Sequence, residues 1–115
     1  MSKPSRILHL TERSLWEAAR GRGTYEVSTR GRTLREEGFI HFSTRAQLPR
    51  VAAFLYGDDA RADLVVLEVD PERLDAPLRY ESVEPGGEEF PHLYGPLPVE
   101  AVVEVTPWAA GSPGN

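Results

Sequence analysis

Apolar residues fall into short runs along this chain, separated by polar, glycine- and proline-rich stretches, and the spacing inside each run predicts its structure. "RILHL" reads as a short strand. Thr11 follows as a predicted helix N-cap, with Glu12 in the first turn, where a carboxylate complements the helix dipole. "ERSLWEAAR" then predicts a helix that buries Leu15, Trp16 and Ala19 and stops at Gly21. The polar, arginine-rich "GRGTYEVSTRGRTLREE" predicts mainly a loop, with a weak strand at Tyr25–Val27.

"GFIHFS" predicts a second strand, in which alternation puts Phe39, His41 and Ser43 on one face and Ile40 and Phe42 on a core face. Thr44 and Gln47 have capping-box spacing, and Pro49 opens a main helix that runs to Tyr56. Leu48, Val51, Ala52 and Leu55 recur at i, i+3, i+4 and i+7, one buried stripe. "LVVLEV" is almost wholly apolar and β-branched, which predicts a central strand covered on both faces. "LRYESV" and the alternating "VEAVVEV" supply further strands, while "EPGGEEFPHLYGPLP" reads as a long loop of the kind that often carries function. The sum is one α+β domain over residues 1–106, with about five or six strands and two helices near the N-terminus. Residues 107–115 read as a flexible C-terminal tail.

Composition narrows the chemistry. With no cysteine among 115 residues, disulfides, thiolate nucleophiles and cysteine metal sites are excluded. No run of about 18 apolar residues predicts a membrane span. "MSKPSRILHL" lacks the apolar stretch of a signal peptide, so a cytoplasmic address is expected. The net charge of −5 is uneven: residues 1–35 hold eight Lys/Arg against three Glu, whereas the other 80 hold five Arg against fifteen acids. Such a chain is a poor nonspecific binder of nucleic acid, RNA ends being the exception left open, although its basic third suits a small anionic ligand.

Two segments echo one another. "ILHLTE" and "FIHFST" share apolar, apolar, His, apolar, hydroxyl, followed by a predicted helix start. His9 with Thr11, and His41 with Ser43, would each project from one strand face, so two imidazoles would line a common cleft. His92 lies in "EEFPHLYGPL" beside Glu88, Glu89, Phe90 and Tyr94, a loop offering acid, base and aromatic surfaces. No Gly-x-Ser-x-Gly elbow, dinucleotide fingerprint or P-loop is present.

"ILHLT", "EGFIHFST", "LVVLEVDPERLDAPLRYE" and "FPHLYGPL" together resemble the domain-of-unknown-function family numbered 952, over nearly everything from Ile7 to Val105. That family is commonly grouped by fold with ADP-ribosyltransferase and RNA 2′-phosphotransferase-like proteins. Some members carry a glutathione-transferase label, which nothing in this sequence supports. The resemblance implies an ADP-ribosyltransferase-like split sheet whose cleft binds NAD, ADP-ribose or a related nucleotide. By it, His9 matches the residue that hydrogen-bonds the nicotinamide-side ribose, and Thr11 holds the cleft wall. His41 and Ser43 resemble the second motif, beside the nicotinamide ring. The glutamate of the third motif has no clean match, and Glu88, Glu89 and His92 occupy its region.

The expected catalytic set is therefore His9, His41, His92 and Glu89, with Thr11, Ser43, Thr44, Phe90 and Tyr94 as ligand contacts. Histidine titrates near neutrality, so a pair can pass a proton between them. An ADP-ribosyltransferase-like transferase is one outcome, and a nucleotide-binding module without turnover is a second. A metal-dependent hydrolase using three histidines is a third. Catalysis, substrate and oligomeric state stay open at this stage.

Overall fold

The computed structural model describes residues 6–57, 59, 62–82 and 84–108. β6 (Leu64–Val69) is the middle strand of a three-stranded antiparallel sheet, between β1 (Ile7–Glu12) and β10 (Val102–Trp108). Alternation sends Val65, Leu67 and Val69 into one core cluster with Ile7, Trp16 and Tyr25. Leu64 and Val66 face the other way, onto Leu8, Leu10, Leu48, Ala52 and Tyr56. The strand is covered on both faces, as its unbroken apolar run predicts.

α1 (Arg13–Arg20) follows β1 directly and buries Trp16 and Ala19. Thr11 is not its cap. It belongs to β1, and Glu12 takes the N-cap position with no side-chain cap bond. The threonine hydroxyl lies 2.7 Å from the hydroxyl of Tyr25, facing the core and away from the helix start.

The stretch expected to be a loop is largely structured. β2 (Thr24–Tyr25) pairs with β9 (Leu97–Pro98), and β3 (Val27–Thr29) pairs with β4 (Arg32–Thr33). α2 (Leu34–Glu37) carries a complete capping box between Thr33 and Glu36 and ends at Gly38, whose φ of 89° favours glycine. These strands are too short and too polar for periodicity to show them. α3 (Leu48–Tyr56) follows the turn capped by Thr44 and Gln47, close to its predicted bounds.

A second three-stranded sheet has the order β5 (Ile40–His41), β8 (Phe90–Leu93), β7 (Leu78–Glu81). The proline-rich "loop" thus supplies β8 and β9, a correction that Pro91 had concealed, since proline usually argues against an inner strand. Its effect is local. In an antiparallel strand a residue's N–H and C=O point to the same side, so Pro91 turns both towards Phe42. Phe42 N donates to Pro91 O over 2.9 Å, but Pro91 has no N–H to return. Pairing stops there. One residue on, Ser43 exchanges both backbone bonds with Leu8 of the first sheet, at 2.7 and 2.8 Å. The chain therefore crosses between sheets within Ile40–Ser43.

The result is a small α+β fold with several antiparallel strands and, among the described residues, three α-helices, one more than expected. β10 continues through Pro107 and Trp108, opposite Val65 and Leu64, into the stretch read as tail. The rest of that stretch, 109–115, lies outside the described residues. No described helix is long and apolar enough to cross a membrane.

Candidate functional site

A cavity of about 340 Å³ opens where the two sheets meet, and residues from three strands bring all three histidines to it. His9 comes from β1, His41 from β5 and His92 from β8. Ser28 and Ser43 add hydroxyls, and Leu10, Phe42, Val51, Phe54, Leu55 and Phe90 supply apolar walls. Val51 and Leu55, half of the stripe expected to be core, thus face a hollow. Phe54 stands beside them, 87% exposed.

His9 is 3% exposed and fully engaged. Its Nδ1 lies 2.6 Å from the carbonyl of His41, and its Nε2 lies 2.7 Å from the hydroxyl of Tyr25. A carbonyl can only accept, so Nδ1 carries the proton and donates. Burial pulls the pKa of His9 down to about 4, so near neutrality the ring is uncharged and Nε2 has only a lone pair. Tyr25 must then donate to Nε2, and the Thr11 hydroxyl donates to Tyr25 in turn. Burial pushes the Tyr25 phenol well above its usual range, which suits a group that keeps its proton.

This chain of bonds changes two expected roles. His9 cannot hold a ligand's ribose without abandoning a protein partner; it braces His41 instead. Thr11, 2% exposed, serves Tyr25 and does not line the cavity.

His92 is also braced, differently. Its Nδ1 lies 3.0 Å from Oε1 of Glu81, which also accepts a bond from the Tyr94 hydroxyl. These two donors hold the Glu81 carboxyl below the usual carboxylate range. The carboxylate fixes the Nδ1 proton of His92 and leaves Nε2 without a protein partner among the described residues. Phe39 stacks on the ring, centroids 4.1 Å apart at 21°.

His41 is the free imidazole. Its ring meets His92 edge-on, centroids 4.9 Å apart, and makes no hydrogen bond among the described residues. Partial burial lowers its pKa, and the neighbouring His92 lowers it further. No fully buried side-chain nitrogen or oxygen among the described residues lacks a partner. The unpaired atoms of His41, Ser43 and His92 are therefore open to solvent or to a ligand.

Arg50 stands at the rim. Both its terminal nitrogens reach the Glu88 carboxylate, at 2.9 and 2.7 Å. Gln47 Nε2 adds bonds to Glu88 at 3.0 Å and to the Glu89 carbonyl at 2.8 Å, tying the segment before β8 to the start of α3.

Of the expected site residues, His9, His41, Ser43, Phe90 and His92 line the cavity, and Thr11, Thr44, Glu89 and Tyr94 do not. Thr44 caps the turn before α3. Glu89 is exposed and contributes its backbone carbonyl, and Tyr94 lies on Glu81 behind His92. No group of three or more His, Asp or Glu among the described residues is placed to hold a metal ion. Sequence reading missed Tyr25, Ser28, Arg50 and Glu81. Only the apolar trio Val51, Phe54 and Leu55 had a signal, an extra aromatic beside a helical stripe.

A model of the family described as "Protein of unknown function (DUF952)" matches residues 10–105. Among solved structures, the crystal structure of CC0527 from Caulobacter crescentus is 35% identical, with a TM-score of 0.76 over 95% of this chain and 93% of that one. The solution NMR structure of the same protein is 36% identical, with a TM-score of 0.69 over 88% of this chain and 82% of that one. No curated protein matches.

Proposed function

This chain belongs to the DUF952 family, and we propose that its histidine-lined cavity binds a nucleotide of the NAD or ADP-ribose class. One observation carries the reading: three separated strands deliver imidazoles to a single hollow, and the ring most open to a ligand, His41, has no partner of its own. The volume is at the low end of the roughly 300–1,000 Å³ of small-molecule sites, about the size of a base with its ribose. Phe42, Phe54 and Phe90 offer flat apolar surface for a ring, while His41, Ser43 and Nε2 of His92 offer hydrogen bonds. Two three-stranded sheets with a cavity at their junction are compatible with the ADP-ribosyltransferase-like split sheet that the family resemblance implies.

Turnover is a second reading, favoured by the line Glu81–His92–His41. A carboxylate behind one imidazole and a neutral imidazole beside it is an acid–base arrangement. Against it stands the placement of the glutamates. Glu89 is off the cavity, Glu88 is held by Arg50 and Gln47, and Glu81 is behind His92. None faces a position where positive charge would develop on an anomeric carbon. Binding is therefore the function the geometry supports best.

The test is a thermal-shift titration with NAD and ADP-ribose, run with an assay for released nicotinamide. Ligand at 100 times its dissociation constant adds about 2.7 kcal/mol to stability. We expect a clear shift, lost in His41→Ala, without nicotinamide release. No shift with either ligand, or an undiminished shift in His41→Ala, overturns the reading; nicotinamide release transfers it to the transferase.

A further inference from the structure

We infer that the cavity admits only the uncharged part of its ligand, a flat ring bearing N–H or O–H donors such as a nucleoside, and that the Arg50–Glu88 clasp keeps phosphate outside. The inference rests on the nucleotide reading above and deepens it by naming the portion that enters.

Charge comes first. Arg50 is the one lysine or arginine among the described residues that line the cavity, and Glu88 already grips both its terminal nitrogens. A paired fork of this kind occupies two of the five guanidinium N–H donors and offsets the charge that would otherwise attract a phosphate. A phosphate approaching Arg50 would meet the Glu88 carboxylate, a like charge, beside it. The walls offer no compensation, being built from Leu10, Phe42, Val51, Leu55 and Phe90. Burying an ion against such a surface without a partner is costly.

Hydrogen bonding comes second. Ser28 spends its hydroxyl on the Phe39 carbonyl, and His9 has both nitrogens engaged. His41, Ser43, Thr29 and Nε2 of His92 remain. A neutral His41 presents one N–H and one lone pair, and burial keeps it neutral. The neutral His41 ring and the hydroxyls match the edge of a nucleobase or a ribose hydroxyl and carry no charge to offset that of a phosphate.

The clasp is a specificity device with a testable consequence. Adenosine, AMP, ADP and two neutral rings, phenol and benzamide, can be titrated calorimetrically against wild-type protein and Glu88→Gln at low and high salt. We expect adenosine to bind wild type at least as tightly as AMP or ADP, with little salt dependence. In Glu88→Gln the freed guanidinium should shift preference towards AMP by about tenfold, and salt should erase that gain. Binding of AMP tenfold tighter than adenosine to wild type overturns the inference while leaving the nucleotide reading intact. An unchanged preference in Glu88→Gln also overturns it, because the clasp then sets nothing. Binding of phenol or benzamide without adenosine supports the inference and defeats the nucleotide reading. No binding by any probe defeats both.

Discussion

Replacing Tyr25 by phenylalanine removes one oxygen and tests the whole account of His9. That oxygen lies 2.7 Å from Nε2 of His9 and 2.7 Å from Oγ1 of Thr11. Tyr25, His9 and Thr11 are 0%, 3% and 2% exposed, so water cannot replace what is lost. An unsatisfied buried polar group costs about 1–3 kcal/mol. The lone pair of His9 bears that cost in full, and the rotatable Thr11 hydroxyl bears less, giving about 2–4 kcal/mol together. With an unfolding entropy of about 2.1 cal/mol/K per residue, a chain of this length should melt about 8–16 °C lower. The assay is urea unfolding and calorimetry of four proteins: wild type, Tyr25→Phe, Thr11→Val and the double variant. Thr11→Val removes the stranded hydroxyl at constant shape, so it should cost less in the phenylalanine background, with a coupling of about 1 kcal/mol or more. If Tyr25→Phe lies within about 0.5 kcal/mol of wild type, or the two changes simply add, the proposed relay does not exist.

Two further outcomes follow from burial and packing. Between about 6.5 and about 4, unfolded His9 takes a proton that folded His9 refuses, so stability should fall as pH drops through that window and level off below it. The loss is about 3 kcal/mol at 1.36 kcal/mol per pKa unit, His41 adds to it with the same sign, and urea midpoints that stay flat from pH 6.5 to 4.5 would refute it. Gly95→Ala places a Cβ 2.5 Å from Ala76 Cβ and should cost about 1–3 kcal/mol as overpacking. Thermal melts should show that loss recovered when Ala76→Gly is added, and a Gly95→Ala protein as stable as wild type would refute the contact.

Legibility followed the range of the forces involved. β6 and α3 were readable because their apolar periodicity is local and long enough to count, and Gln47 was readable as a cap because its partner is three residues away. The histidine cleft was readable as an echo of His-x-hydroxyl on two strands. What those histidines do was not. The partners that decide it are Tyr25, sixteen residues from His9, and Glu81, eleven from His92. Tyr25 sits in β2, a strand of two residues inside a polar stretch, so no pattern marks it as core. β8 was hidden for a different reason: glycine and proline signal turns, and only the pairing of Phe90–Leu93 with strands on both sides overrides them.

Three identical side chains have three roles here, and the backbone of one short strand explains the division. Phe42 turns its N–H towards β8, so Ile40 does too, and alternation points the His41 carbonyl to the opposite side. β1, which bonds Ser43 through Leu8 on that same side, gives this carbonyl no backbone donor among the described residues; the imidazole of its own His9 supplies one at 2.6 Å. A side-chain donor satisfies the same group from one edge. His9 must therefore remain neutral with its proton on Nδ1, which burial enforces. His92 is fixed by Glu81 on the neighbouring strand. His41, whose backbone does the structural task, keeps a ring with no hydrogen bond among the described residues, facing the cavity.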